Sequence, residues 1–144
     1  MTPDTSAEST EPERKQPESF RGRSLAASLT VNDIRQSVAW YRDIVGFIVE
    51  QEYGEPGGVP RAVSLKAGTV SLLVTQDDGA KGMDRAKGEG MSLQITTAQD
   101  IDELAARIKE NGGTLLSEPH DAWGARVFRL KDPDGFKLVI SSER

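Results

Sequence analysis

Few side chains in this sequence could carry chemistry. There is no cysteine and only one histidine in 144 residues. Without cysteine there is no thiolate nucleophile, disulfide framework or zinc–cysteine site. One histidine cannot build a histidine-rich metal site within a chain, so any catalytic base other than His120 must be a carboxylate, lysine or tyrosine. His120 stands in the stretch Glu118-Pro119-His120-Asp121, read as a loop, with no second histidine to partner it. Asp132 and Asp134 resemble a carboxylate pair, but they flank Pro133 and precede Gly135. The stretch therefore reads as a turn that sets hairpin register. Arg129 has the planar fork that pairs with a carboxylate or phosphate, against the plainer reading of a surface ion pair. Trp123 offers a rigid flat surface for stacking, against the plainer reading of a side chain packed between structural units. Tyr41 shares the apolar spacing of its helix and reads as core. Gly54, Gly57 and Gly58 form no phosphate-loop pattern.

Charge and hydropathy exclude other classes. The balance of 18 Lys+Arg against 23 Asp+Glu, net -5, argues against a nucleic-acid or anionic-membrane partner. No apolar run approaches the roughly 20 residues of a membrane span. The N-terminus MTPDTSAEST has neither the basic start nor the apolar stretch of a secretory signal. A soluble, cytoplasmic protein with no nucleic-acid or membrane partner is expected. Residues 1–22 hold five acids and three bases, with Met1 and Ala7 the only apolar side chains before Phe20. They read as a disordered tail, because such a segment cannot bury enough surface to offset its ordering entropy.

Elements that could position these residues begin at Ser24. Leu25, Ala27, Leu29 and Val31 alternate with Ala26, Ser28 and Thr30, the period of a half-buried strand. Ile34, Val38, Tyr41 and Val45 then recur at helical spacing, with Asp33 and Gln36 as a capping pair and Gly46 as the C-terminal stop. Residues 47–53, 61–66 and 70–75 read as three strands. After a polar, glycine-rich stretch the order begins again. Met91, Leu93 and Ile95 alternate. Asp100 opens a helix in which Ile101, Leu104 and Ile108 share a face, and Gly112-Gly113 closes it. Residues 114–117, 126–131 and 136–140 supply three more strands. Asp33 and Gly46 recur as Asp100 and Gly113, both 67 residues on. The expected fold class is α+β, with two βαβββ modules at about 24–76 and 90–142. They are joined by a linker at 77–89 within one domain, 23–144.

Asp33–Phe47, DIRQSVAWYRDIVGF, resembles the first-helix motif of the vicinal oxygen chelate superfamily, the glyoxalase, bleomycin-resistance and extradiol-dioxygenase group. Trp123-Gly124 followed by Asp132-Pro133-Asp134-Gly135 resembles its final hairpin, especially in the bleomycin-resistance branch. The resemblance runs from about Leu25 to Ser141 and implies paired modules whose sheets curl around a cavity. Metal-dependent members are implied to place two histidines and two glutamates in that cavity. The matching positions here are Ala26, the acid-free stretch 70–74, the stretch 90–95 without histidine or carboxylate, and Val139. Such side chains do not hold a divalent cation, so no metal and no cofactor are expected.

Alternation then assigns the wall of the implied cavity. Leu25, Ala27, Leu29 and Val31 should face the helices, leaving Ser28 to the cavity. In the hairpin at Ala67-Gly68, Ser64 and Ser71 face inward, and Gln94 follows from the second module. A glycine bulge at Gly135 would place Arg129 opposite Val139. It would also keep Phe128, Leu130, Phe136, Leu138 and Ile140 on one apolar face. The candidate ligand-binding residues are therefore Ser28, Ser64, Ser71, Gln94, Trp123 and Arg129, with no catalytic residue assigned and no carboxylate on the wall. The reading that follows is a metal-independent small-molecule-binding protein, and a homodimer, that sequesters a planar organic compound or antibiotic. The alternative is an enzyme of the same superfamily, a lyase, isomerase or dioxygenase-like protein with a non-standard site.

Overall fold

A computed structural model of the chain describes residues 19–143. Most of the expected N-terminal tail, residues 1–18, lies outside the described residues. The first half runs β1 (Ala27–Val31), α1 (Ile34–Ala39, continued as a π-helical stretch over Trp40–Val45), β2 (Ile48–Tyr53), β3 (Ala62–Ala67) and β4 (Val70–Gln76). The second half repeats the order with β5 (Leu93–Thr97), α2 (Ile101–Glu110), β6 (Leu115–Ala122), β7 (Ala125–Lys131) and β8 (Lys137–Ser142). Each half forms its own four-stranded mixed sheet, ordered β1-β4-β3-β2 and β5-β8-β7-β6. The first strand of each half pairs parallel to the last, and the remaining pairs are antiparallel. Among the described residues, no helix is long and apolar enough to cross a membrane.

The helices form where the sequence stops them and starts them. Asp33 accepts the Gln36 N–H and Asp100 accepts the Glu103 N–H, each filling a donor that the first turn leaves open. Gly46, at φ +111, ends the first helix while its N–H and that of Phe47 both bond the Tyr41 carbonyl. Tyr41 sits edge-on between Trp40 and Phe47, with ring centroids 4.8 and 5.6 Å away. Apolar faces of both sheets and both helices join in one core that includes Leu29, Val63, Leu65, Val74, Ile108, Phe128 and Leu138.

Leu25 corrects the expected first strand. It is 94 % exposed, and β1 starts only at Ala27. Alternation marks a buried face only where something covers it, and the helix side of the sheet is uncovered at that end. A second correction concerns His120. It lies in β6 rather than in a loop, with its Nδ1 2.8 Å from the Glu118 carbonyl. β6 tolerates Pro119 because it is an edge strand whose pairing with β7 skips from Ser117 to His120.

Two loops hold the halves in place. In the 132–136 turn, Gly135 at φ +107 provides the expected bulge, and Arg129 pairs with Val139. Asp132 is the hub of this turn. Its Oδ1 accepts the N–H groups of Asp134, Gly135 and Phe136, each at 2.9 Å. Its Oδ2 accepts the Tyr41 hydroxyl from the first half at 2.8 Å. Asp134 accepts the Asn32 N–H and the Ser37 hydroxyl, also from the first half. The stretch between the halves is likewise fastened. Buried Asp77 holds Lys87 at 2.7 Å and Arg85 at 3.3 Å. Gly88 lies so close to the turn that a Cβ there would be 2.7 Å from the Gly135 carbonyl oxygen.

Burial raises the Asp132 carboxyl above its usual range, while the Tyr41 hydroxyl and the backbone N–H groups of Phe136 and Asp134 pull it down. Burial also pushes the Tyr41 hydroxyl well up, so it stays a donor. Tyr41→Phe should therefore cost about 1.5–3 kcal/mol at neutral pH, as for a lost hydrogen bond to a charged group. It should also raise the Asp132 carboxyl further. The deficit should shrink as pH falls and Asp132 takes up a proton in both proteins. Urea unfolding of both proteins across pH reads it; a pH-independent deficit would mean that Asp132 is not the partner that matters.

Candidate functional site

Core side chains alternate with outward ones, so the outer face of each sheet can be named residue by residue. On the first sheet Ser28 is opposite Leu73, which is opposite Ser64, and Ser71 is opposite Lys66 one row along. On the second sheet one row carries Gln94, Val139, Arg129 and Ser117. Ser28, Ser64 and Ser71 therefore stand together on one outer face, and Gln94 and Arg129 on the other. None of the six candidate residues lines the clefts of about 420, 340 and 310 Å³ that the described residues form. In a single chain Ser28, Gln94 and Arg129 are exposed, Ser64, Ser71 and Val139 are half-buried, and Val127 beside Arg129 is buried.

A bulge puts a carboxylate on the outer face of the first sheet, among residues expected to carry none. Pairing between β2 and β3 skips from Val49 to Gln51, which leaves Glu50 as the extra residue. Its carboxylate accepts the Ser64 hydroxyl at 3.1 Å and lies 3.6 Å from the Lys66 ammonium. Period-two reading cannot find such a residue, because a bulge is decided by the partner strand rather than by the bulged one. Ser117 is a second residue that the pattern missed. Its hydroxyl is buried without a hydrogen-bond partner among the described residues.

The second sheet is basic on its outer side. Arg129 shares a face with Lys131, and Lys131 is directly opposite Lys137. None of these three cations makes an ion pair among the described residues. Like charges placed opposite each other on a sheet repel, and an anion between them removes the cost.

Trp123 occupies the tip of the β6–β7 hairpin, 86 % exposed. It sits at φ +54 and Gly124 at φ +77, so the two-residue turn is of the I′ type. A bulky side chain in the left-handed region is strained by about 1 kcal/mol or more. Packing does not explain it, since the ring is in solvent.

The positions that the sequence resemblance implies for metal ligands carry no donors in this chain. Ala26 and Val139 are the residues at two of these expected positions, and the stretches 70–74 and 90–95 contain no histidine or carboxylate. Among the described residues no three His, Asp or Glu side chains gather closely enough to hold a metal ion. Glu50, the carboxylate that does reach the wall, is already engaged by Ser64 and Lys66.

Asp77 marks one end of the first outer face, in a cavity of about 310 Å³ that also takes in Thr30, Thr75, Lys81 and Arg85. Its hydrogen bond from Lys87, then that from the Gly79 N–H, and the Arg85 contact hold its carboxyl at about 2 instead of 3.8. A depressed carboxyl lends stability that is complete above its unfolded value and lost as pH falls through its folded one. The wild-type protein should therefore lose stability between about pH 4 and 2. Asp77→Asn should melt several degrees lower at neutral pH and show a flatter melting temperature across that window. Trp123→Asn should act oppositely on stability. It creates the favoured Asn-Gly turn and should raise unfolding free energy by roughly 0.5–1 kcal/mol in urea titration.

Comparison with known proteins agrees with this geometry. The profile of the Glyoxalase/Bleomycin resistance protein/Dioxygenase superfamily matches residues 23–140. TioX from Micromonospora sp. ML1 has a similar structure, with a TM-score of 0.70 and 20% identity, over 85% of this chain and 100% of that one. A virulence protein of Salmonella typhimurium superimposes with a TM-score of 0.68 and 20% identity, over 88% and 100%. A glyoxalase/bleomycin resistance protein/dioxygenase from Nocardioides does so with 0.62 and 18%, over 93% of both chains. No curated protein sequence matches. With its two βαβββ halves, each a four-stranded sheet backed by one helix, the chain belongs to the glyoxalase/bleomycin resistance/dioxygenase superfamily.

Proposed function

We propose that the protein binds a small planar organic acid without a metal, in the cytoplasm, and does so as a homodimer. The observation that carries this reading is Trp123: a large aromatic ring held in solvent at an energetic cost. Strain kept at an exposed position calls for a functional reason, and a flat, low-entropy stacking surface supplies one. Arg129, with Lys131 and Lys137 beside it, would take the acid group through charge-assisted hydrogen bonds. Ser28, Ser64, Ser71 and Gln94 would supply hydroxyl and amide contacts. A second copy closes over the open outer faces, which gives the enclosure that small-molecule sites require. Sequestration of a compound such as an antibiotic is the simplest activity for such a pocket.

An enzyme of the same superfamily is the second reading, and Glu50 favours it. A carboxylate that accepts a serine hydroxyl is the arrangement of a general base. Glu50→Gln should abolish turnover under that reading and leave binding of an organic acid intact under the first.

Native mass spectrometry of the protein as purified, with neither chelator nor nickel-affinity step, tests the proposal. A dimer without metal is expected, with or without a retained organic mass. A monomer would remove the shared pocket, and stoichiometric metal would move the enzyme reading to first place. Addition of 2-naphthoate should quench the fluorescence of Trp123, and Trp123→Asn or Arg129→Ala should lower its affinity roughly tenfold.

A further inference from the structure

The two halves meet at two ends, and only one end is filled. Asp132-Gly135 in the second half corresponds to Ala67-Gly68 in the first, since Gly135 and Gly68 are also 67 residues apart. The second-half turn is covered. Lys87 and Gly88 press against it, Asn32 and Ser37 bond to Asp134, and Tyr41 bonds to Asp132. The first-half turn is bare. A Cβ added at Gly68 would meet nothing within 4 Å, and the same holds at Gly46 across from it. Between them opens a cleft of about 420 Å³, the size of a small-ligand pocket.

Its walls are amphiphilic in a consistent way. Phe47 and Val70 from the first half and Ile95 and Leu104 from the second line it with hydrocarbon. Leu104 and Arg107 on α2 and Asn111 at its C-cap follow at intervals of three and four residues, so one stripe along the helix borders the cleft. Asn111 is committed: its Nδ2 donates to the Ile44 carbonyl of the first half. Arg107 is not. Its side chain makes no hydrogen bond or ion pair among the described residues. Arg107 is exposed and lines the cleft together with Thr69, Thr96, Thr97 and Gln99, with no carboxylate among the lining residues.

We infer that this cleft is a second ligand site, separate from the outer sheet faces. It would take a small apolar carboxylate whose hydrocarbon end enters between the halves and whose acid group pairs with Arg107. Because both halves contribute walls, an occupant there adds to the Asn111–Ile44 bond that already ties the halves at this end.

Titration of ¹⁵N-labelled protein with 4-phenylbutyrate tests this by amide chemical shifts. Saturable changes are expected at Thr69, Ile95 and Arg107, with Gln94 and Arg129 unmoved. That pattern keeps the result independent of the sheet-face site, whose failure would appear in the naphthoate measurement instead. Arg107→Gln, an exposed change, should weaken binding roughly tenfold, as should the methyl ester of the probe, since each removes one charge-assisted bond. Absence of saturable change, shifts confined to Gln94 and Arg129, or equal affinity for ester and acid would each overturn the assignment. So would Phe20→Ser moving the cleft amides with no probe present, because the chain's own exposed N-terminal segment would then be the occupant.

Discussion

A single buried carboxylate holds the local and the global geometry together. Asp132 satisfies three consecutive backbone N–H groups of its own turn with one oxygen and a tyrosine from the other half with the second. Burying a carboxylate costs free energy unless its lone pairs are met, and here four donors meet them. The same four bonds have two consequences. The turn is held in the form that needs Gly135 at positive φ, so β7 and β8 pair with Arg129 outward and Phe128 and Leu130 inward. The first helix is tied to the second half through Tyr41, whose ring is itself wedged between Trp40 and Phe47. A slip of one residue would turn Arg129 into the core and expose Phe128. The basic outer face therefore depends on a residue that never touches it.

This arrangement makes the internal repeat unequal. Both halves share strand order, helix caps and the 67-residue offset. They differ in the connection before the last strand, which is two residues long in one and five in the other. The longer turn carries the aspartates that reach across, and the linker pinned by Asp77 and Lys87 packs over it. The shorter turn, Gly68-Thr69, borders the cleft, and a Cβ added at Gly68 would meet nothing within 4 Å. Repetition explains the architecture, and departure from repetition explains where surfaces remain open.

The periods of apolar residues were enough to locate the strands and helices of both halves, while their pairing into two sheets was implied by the family resemblance. The register of the last hairpin was legible for the same reason: only one register keeps five apolar side chains on one face. Less local features were not. The Tyr41 hydroxyl finds its acceptor 91 residues away, and nothing near Tyr41 in the chain distinguishes it from a plain core aromatic. Glu50 reaches the wall through a bulge that exists only in the pairing of two strands. Asp77 and Lys87 lie in a stretch whose polarity signals a loop and conceals a buried ion pair. Leu25 shows the opposite error, since the pattern continued after the cover had ended.

The two outer faces differ in charge, and the difference bears on the ligand of the proposed dimer. On the first sheet Glu50 and Lys66 offset each other beside serines, so that face is close to neutral. On the second sheet Arg129, Lys131 and Lys137 are uncompensated. A ligand spanning both would gain from an acidic group on one side only, and a dication would be repelled from the second face. Bleomycin-type drugs are cationic, so superfamily membership does not by itself make them suitable occupants here. Glu50 could serve a cationic group only by giving up Lys66, which would leave that ammonium exposed to the same ligand. Under the proposed binding role, charge complementarity favours an anion, and the flat, strained Trp123 favours an aromatic one.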